Sequence, residues 1–179
     1  MDADTANGTG ASGHTGRQGL SMTETISKKI LVANRGEVTV HPARAIADSG
    51  THSVAVFAHD EASAQHVRMA DEAVALEHAG QPKIIGPWAY LDVQRMLAIA
   101  HTSDCDAIHP GYGFLSERSD FGRQCADAGI CFIGPTPKQL ALFGDKARAR
   151  VLAQTHGLPL VPGTERAVSL EEARAFFKA

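Results

Sequence analysis

The chain has 179 residues, of which 44% are apolar and 21% charged, and its formal net charge is −3 at pH 7. This composition is typical of one globular domain with the start of another, and the slightly acidic balance argues against nucleic acid as a partner. No apolar run approaches the roughly 20 residues of a membrane helix, and a signal-peptide pattern is lacking, so we expect a cytoplasmic protein with no membrane partner.

Residues 1–27 are rich in Gly, Ser, Thr, Asp and Ala and show no apolar period. Such a segment cannot bury enough surface to offset its ordering entropy, so we predict a disordered extension. Met22 offers an alternative start just before the first predicted strand.

From Lys29 onwards, short apolar runs alternate with longer amphipathic ones. This rhythm predicts an α/β fold: an open, mostly parallel Rossmann-like sheet with helices on both faces and right-handed crossovers. The predicted strands are Lys29–Ala33, Ser53–Phe57, Glu72–Leu76, Ala107–His109 and Ile130–Ile133. The predicted helices between them are Glu37–Ser49, Ala62–Ala70, Tyr90–Thr102 and Ser119–Ala128.

Two further helices follow the last predicted strand. Thr136 is a good N-cap with Gln139 at the capping-box position, and Gly144 is placed to end that helix. The next helix is predicted over Lys146–His156. Both helices therefore lie beyond the sheet, close to its last strand.

The prolines of Leu158–Gly163 leave no room for a helix, so this stretch is predicted to be a linker. Ser169 and Glu172 then form a second capping box, which opens a helix that runs towards Ala179. An amphipathic helix at this position, with nothing to pack on, favours a chain that is truncated.

Cysteine and histidine give no sign of a disulfide framework or a metal site. Cys105, Cys125 and Cys131 show no C-x-x-C spacing, and we expect all three to be small buried apolar side chains. The nine histidines show neither H-x-H nor H-E-x-x-H spacing, so no metal ligand is expected among them.

The run ANRGE places Arg35 and Glu37 where the first strand gives way to a helix, so free backbone N–H groups there can hold an anion. The run contains neither the G-x-G-x-x-G fingerprint nor a Walker A loop. Two interpretations stay open. The two side chains contact a ligand, or they belong to a structural turn in which they pair with each other or with neighbouring elements.

The run HPGYGFLSE follows the fourth predicted strand and contains His109, Tyr112, Gly113 and Glu117. In an open α/β sheet, the crevice beyond the carboxyl ends of the strands is the usual ligand site. The loop then shapes the wall of that crevice. In the alternative interpretation Tyr112 packs the turn on the sheet, His109 is a satisfied core histidine and Glu117 is a helix-start acid.

The run GDK joins the end of one predicted helix to the start of the next, which displays the Lys146 ammonium beside free N–H groups. This arrangement suits a phosphate contact. A lone lysine is otherwise an ordinary solvated surface charge.

Together with FIGPTPKQLALFGDK and ILVANRGE, these runs closely resemble the N-terminal part of the biotin carboxylase component of biotin-dependent carboxylases, over about residues 29–163. The resemblance implies a domain that precedes an ATP-grasp fold, in a ligase that uses ATP with Mg or Mn and bicarbonate to carboxylate biotin. The implied division is 1–27 as the extension, 28–157 as the pre-ATP-grasp domain, and 158–179 as a linker and the start of a truncated ATP-grasp domain. GQPKIIGPWAYL resembles the form common in pyruvate carboxylases.

The resemblance also assigns residues. Lys146 matches the lysine that contacts ATP. The crevice candidates, which match the family's first loop and crevice-facing loop, are Arg35, Glu37, His109, Tyr112, Gly113 and Glu117. No catalytic residue and no metal ligand are expected in this chain, because it stops before the family's glycine-rich lid. The implied partners are the missing ATP-grasp half or an intact carboxylase subunit, and a biotin carboxyl carrier domain.

One segment departs from the family pattern. EVTVHPARA places His41 and Pro42 where an arginine and an apolar residue normally stand. A proline inside a helix costs roughly 3 kcal/mol, so we expect the first helix to start later, to kink or to be less stable. The lost arginine also weakens the case for the family's dimer contacts.

Two other functions remain open. In one, the chain is a non-catalytic interaction module derived from a carboxylase; in the other, it is the preceding domain of a different ATP-grasp ligase of the carbamoyl-phosphate or purine-pathway kind. HPGYGFLSE argues against the second of these.

Overall fold

The computed structural model describes residues 27–77, 80, 83–164 and 166–178. Almost all of the predicted extension 1–27, including Met22, lies outside these residues. The described part contains one five-stranded sheet in the order β3-β2-β1-β4-β5. Its strands are β1 (Lys29–Val32), β2 (His52–Phe57), β3 (Glu72–Ala75), β4 (Ala107–His109) and β5 (Cys131–Phe132). Each neighbouring pair is parallel, which confirms the α/β prediction.

Helices connect the strands and continue beyond the last one. The α-helices are α1 (Gly36–Asp48), α2 (Gln65–Met69), α3 (Val93–Thr102), α4 (Ser119–Asp127), α5 (Pro137–Phe143), α6 (Lys146–Thr155) and α7 (Leu170–Phe176). Two 3₁₀ helices, His59–Glu61 and Gly86–Leu91, precede α2 and α3 respectively. The capping boxes predicted at Thr136 and Ser169 are both present.

The core lies on both faces of the sheet. Side chains alternate between the faces of a strand, so Leu31 joins a large cluster with Tyr90, Met96 and Phe121. Ile30 and Val32 of the same strand point the other way, into a smaller cluster with Ile46 of α1 and Ala107. The parallel sheet is thus covered on both sides, as its apolar strands require.

Helix α1 contains Pro42 in its interior yet begins at Gly36. Of the three effects expected of this proline, a later start of the helix is therefore wrong, and a kink or a lower stability stays a prediction. The face made by Thr39, Val40, Ala43 and Ile46 is buried. Packing of that face stabilises the helix more than the proline costs, because tertiary contacts supply most of the stability of a helix in a protein.

Two predicted helices have different starts in the structure. The helix predicted over Tyr90–Thr102 begins only at Val93, where the Asp92 side chain accepts a hydrogen bond from the Arg95 backbone N–H at 2.9 Å. Tyr90 belongs to the preceding 3₁₀ helix, and its side chain is fully buried. The helix predicted over Ala62–Ala70 is shortened to Gln65–Met69. At Tyr90 a 3₁₀ helix takes up the start of the predicted segment, whereas residues 62–64 form a turn and a bend before α2.

The three cysteines are free, but they are not all buried. Cys105 and Cys125 lie in the core, and burial raises the pKa of each thiol to about 11. Cys131 is exposed, so the prediction of a buried side chain is wrong there. It lies on β5, a two-residue strand at the edge of the sheet, which has a neighbouring strand on one side only.

Across the residues that the structure describes, no helix combines the length and the apolar character needed to cross a bilayer.

Candidate functional site

The chain changes direction across the sheet between β1 and β4. From β1 it builds outwards through β2 and β3, and it then returns to the other side of β1 to form β4 and β5. β1 and β4 are neighbours, but the loop after β1 runs towards one side of the sheet and the loop after β4 towards the other. A crevice therefore opens between the two loops at the carboxyl ends of the strands. A hollow of about 540 Å³ lies there, which we call the switch hollow, lined by residues 34–38 and 112–114.

Asn34 joins the two loops that border the switch hollow. Its buried amide nitrogen donates to the backbone carbonyls of Pro110 and Tyr112, at 2.8 and 3.0 Å. Its amide oxygen accepts from the backbone N–H of Arg35 at 2.9 Å. The loops after β1 and β4 are thus held together by one side chain.

Arg35 lies in the wall of the switch hollow and is paired with Glu61. One guanidinium nitrogen donates to a Glu61 carboxylate oxygen, and the guanidinium lies 5.8 Å from the centre of the Tyr90 ring. The other Glu61 oxygen accepts from the Tyr90 hydroxyl at 2.5 Å. Arg35 therefore pairs with a neighbouring element, as one of the two sequence-based interpretations has it, while its side chain still borders the hollow.

Glu37 and Tyr112 meet at the same hollow. The Tyr112 hydroxyl donates to a Glu37 carboxylate oxygen, and this hydrogen bond raises the pKa of Tyr112. The other Glu37 oxygen is 3.6 Å from His41 Nε2, one helical turn along α1. The pair links the first turn of α1 to the loop after β4.

His109 ends β4, and its side chain is partly buried. Its Nδ1 accepts from the backbone N–H of Gly111 at 3.1 Å. Burial lowers its pKa, which favours the neutral ring that this hydrogen bond needs. His109 contacts the turn after β4 through this hydrogen bond and is not among the residues that line the switch hollow.

A second hollow of about 340 Å³, the lysine hollow, lies between the loop before α4 and the helices α5 and α6. Glu117 and Lys146 both line it, together with Pro135, Gln139, Leu140, Phe143 and Gly144. Lys146 also borders a more open depression of about 610 Å³, with Arg150 and Arg166. Lys146 is therefore accessible from two sides.

Local structure accounts for the position of Lys146. Helix α5 ends at the Gly144 cap, whose backbone lies so close that an added Cβ would be 2.8 Å from the Leu140 carbonyl oxygen. Asp145 then caps α6 by accepting from the backbone N–H groups of Ala147 and Arg148. Lys146 is consequently the first residue of α6, and it is exposed.

The structure thus divides the predicted site residues into two groups. Arg35, Glu37, Tyr112 and Gly113 lie together at the switch hollow, and Glu117 lies with Lys146 at the lysine hollow. His109 lines neither of these two hollows. Sequence reasoning missed Asn34, Glu61 and Tyr90, although Asn34 stands inside the quoted ANRGE run.

Among residues 27–77, 80, 83–164 and 166–178, no three His, Cys, Asp or Glu side chains group in a way that would hold a metal ion. The lysine hollow offers an exposed ammonium, which can contact a phosphate oxygen, and one carboxylate.

Comparison with known proteins identifies the family of the chain. The model of the family described as "Biotin carboxylase, N-terminal domain" matches residues 26–140. Among curated relatives, the mitochondrial pyruvate carboxylase of Homo sapiens is 42% identical over 150 residues, which are 83% of this chain and 12% of that protein. The chain thus spans only a small part of the length of that relative.

Two solved structures resemble the chain. The biotin carboxylase domain of a single-chain bacterial carboxylase is 53% identical, with a TM-score of 0.75 over 84% of this chain and 34% of that one. The biotin carboxylase domain dimer of the Hydrogenobacter thermophilus 2-oxoglutarate carboxylase, a complex with MgADP, ADP and bicarbonate, is 41% identical, with a TM-score of 0.75 over 85% of this chain and 32% of that one.

Proposed function

The chain belongs to the biotin carboxylase family through its N-terminal domain, and we propose that it forms the N-terminal part of an ATP-dependent ligase that carboxylates biotin with bicarbonate. The family match and the homology to the N-terminal part of biotin carboxylase domains support this proposal. The proposed domain boundary lies at residue 157, with 158–179 as a linker and the start of the ATP-grasp domain.

The observation that carries the proposal is the exposed ammonium of Lys146 at the first residue of α6. A phosphate oxygen there would meet the positive Lys146 side chain. The backbone N–H groups of Ala147 and Arg148 in the same turn are bonded to Asp145, so the prediction of free N–H groups beside Lys146 is wrong at these two residues. We assign Lys146 to the phosphates of ATP, held with Mg or Mn. When bound, ATP supplies the phosphoryl group that activates bicarbonate. Lys146 of this chain contributes one positive charge, which offsets the negative charge of the phosphate oxygens.

The switch hollow is proposed to form part of the crevice wall where substrates meet. Arg35, Glu37, Tyr112 and Gly113 border it, and Glu117 borders the lysine hollow that adjoins the same loop. His109 is assigned a supporting role, since its neutral ring accepts from the turn rather than facing either hollow. Arg35 has little freedom to move, because its guanidinium is already paired with Glu61.

The helices beyond the sheet support a proposal about partners. Large apolar side chains stay exposed on or beside α5, α6 and α7: Phe143, Val151, Leu158, Val161, Leu170 and Phe177. An exposed apolar surface of this kind marks an interaction site. We propose that the remainder of the ATP-grasp domain, which follows residue 179 or is supplied by a second polypeptide, covers it, and that a biotin carboxyl carrier domain delivers the biotin.

Nucleotide binding tests the proposal. The purified chain is titrated with MgATP and MgADP in a calorimeter, and Lys146→Ala is compared with Lys138→Ala. Lys138 is an exposed lysine on the neighbouring helix α5 and lines neither the lysine hollow nor the depression beside it. We expect Lys146→Ala to weaken binding at least tenfold and Lys138→Ala to leave it unchanged. Equal affinities for both variants would contradict the assignment of Lys146.

The activity of the chain alone has a separate test. We expect no bicarbonate-dependent ATP hydrolysis with free biotin from the isolated chain, and hydrolysis once the remainder of a biotin carboxylase is supplied as a second polypeptide. Turnover by the isolated chain would refute the need for a partner. Stable association with that polypeptide without turnover would favour a non-catalytic interaction module.

A further inference from the structure

We propose that Asn34 is a positioning residue, whose buried amide holds the turn of residues 110–114 in the conformation that brings Tyr112 to Glu37 at the switch hollow. The inference rests on the proposed function only in assuming that this hollow receives a substrate. The effect of Asn34 on the conformation of this turn can be measured without any ligand.

The hydrogen bonds of Asn34 lie entirely within the two loops. Its amide nitrogen donates to the carbonyls of Pro110 and Tyr112, on either side of Gly111, and its oxygen accepts from Arg35 N. The side chain is fully buried. Removing the amide would leave two carbonyls without these donors, and a buried polar group without a partner is costly.

The turn needs such support because its backbone is strained. Gly111 and Gly113 have φ values of 66° and 69°, and Phe114, which is not a glycine, has a φ of 47°. A bulky residue in the left-handed region persists only where its surroundings enforce that conformation. The Asn34 bonds fix the first half of the turn, and the Phe114 ring packs 5.7 Å from the Tyr90 ring in the second half.

The turn also lies directly against Asn34. A Cβ added at Gly111 would be 2.8 Å from Asn34 Nδ2 and 2.5 Å from Val38 Cγ1. A glycine is therefore required for both its backbone conformation and its size. This close approach lets one short side chain reach two carbonyls and so place Tyr112, the residue between Gly111 and Gly113, over the first turn of α1.

Tyrosine ionisation gives a direct signal of this placement. The chain contains two tyrosines. Tyr90 is buried, and burial raises its pKa far above the ordinary value, whereas Tyr112 is exposed and its pKa is raised mainly by the hydrogen bond to Glu37. In an ultraviolet absorbance titration of the full chain, the first transition therefore reports Tyr112. Glu37→Gln removes the carboxylate and defines the shift expected when the contact is lost.

The test compares Asn34→Ala and Asn34→Leu with the matched control Thr39→Val. Asn34→Leu keeps the approximate size of the side chain and loses both donors without adding a charge, so it serves if Asn34→Ala does not fold. Thr39 is buried on α1, the helix that follows Asn34, and its hydroxyl has no hydrogen-bond partner within the described residues. We expect both Asn34 variants to lower the Tyr112 midpoint by at least half of the Glu37→Gln shift, and Thr39→Val to leave it unchanged.

Circular dichroism and the urea midpoint establish that each variant is folded. A folded Asn34 variant with the wild-type Tyr112 midpoint would overturn the proposal, as would an equal shift in Thr39→Val. The outcome is independent of nucleotide binding. If the Asn34 variants lower the midpoint of Tyr112 ionisation but the wild-type chain binds no MgATP, the positioning role of Asn34 stands and the proposed function fails.

Discussion

The hydroxyl of Tyr90 donates to Glu61 at 2.5 Å and accepts from the backbone N–H of Ala58 at 3.2 Å. One buried side chain thus joins the 3₁₀ helix before α3 to the segment that follows β2. Through Glu61, the same contact holds Arg35 at the end of β1.

Replacement of Tyr90 by Phe should destabilise the chain. The ring remains, but the Ala58 N–H and one Glu61 oxygen lose their partner, so we expect the free energy of unfolding to fall by about 1–3 kcal/mol in urea titrations. Tyr112→Phe is the control, because Tyr112 is 64% exposed, and its effect should stay within about 0.5 kcal/mol. Similar losses for both variants would argue against a structural role for the Tyr90 hydroxyl.

Alanine at Gly111 and at Gly113 should have unequal costs. Both glycines have positive φ, so each substitution costs about 1–2 kcal/mol in backbone strain. Only at Gly111 would the added Cβ meet other atoms, Val38 and Asn34, whereas nothing lies within 4 Å at Gly113. We expect Gly111→Ala to lose about 1–3 kcal/mol more than Gly113→Ala in urea unfolding. Equal losses would show that the turn does not rest on Asn34.

Pro42→Ala should stabilise the chain. Alanine restores a backbone N–H in the interior of α1 and removes a cost of up to about 3 kcal/mol, so the melting temperature should rise. Pro137→Ala is the matched control, because Pro137 lies in the first turn of α5, where proline is tolerated. A Pro42→Ala variant that melts no higher than wild type would mean that α1 is already adapted to its proline.

His66 should make stability depend on pH below neutrality. Burial lowers its pKa below the ordinary 6.5, against the opposing effect of Glu61, and its Nδ1 accepts from Gly36 N at 3.3 Å. The unfolded chain therefore binds this proton more readily. The contribution of His66 is present above pH 6.5 and is lost as the pH falls from there through the lowered pKa.

The pH effect can be measured by urea unfolding at pH values from 7.5 to about 5, a window around the ordinary histidine pKa. His66→Asn should flatten the fall in stability, and His41→Asn, at an exposed histidine, should not. His109, whose pKa is also lowered by burial, keeps part of the dependence in either variant. An unchanged slope in His66→Asn would contradict the prediction.

The thiols should differ in reactivity. A chromogenic disulfide reagent at neutral pH should label Cys131 rapidly in the native chain, because Cys131 is exposed. Cys105 and Cys125 are buried, with thiol pKa values of about 11, and should react only after denaturant is added. Cys131→Ser should abolish the fast phase, and a fast phase that survives this change would show that the core thiols are accessible.

The sequence allowed the sheet and the helix caps to be predicted because their signals are local. Apolar runs mark the buried strands, and the Thr136 and Ser169 capping boxes lie within four residues. The pairing of Arg35 with Glu61 could not be predicted, since the two are 26 positions apart and only the fold brings them together. Tyr90 was assigned to a helix because the apolar pattern continues smoothly into α3 and does not distinguish a 3₁₀ turn from an α-helix.

The resemblance pointed to the loops after β1 and β4, but it could not divide their residues between two hollows. That division follows from α5 and α6, which bring Lys146 next to Glu117 rather than next to Arg35. The exposure of the Cys131 side chain likewise depends on the order of the strands in the sheet. A short apolar run looks alike at the edge and in the centre of a sheet.

The uniform strand direction has a practical consequence for labelling the molecule. Both loops that border the switch hollow leave the carboxyl edge of the sheet, so the helix-to-strand turns at Gly50, Asp104 and Gly129 lie at the opposite rim, each with a left-handed backbone. A fluorophore or short affinity tag inserted at that rim would report on the domain from a distance, without touching the switch hollow.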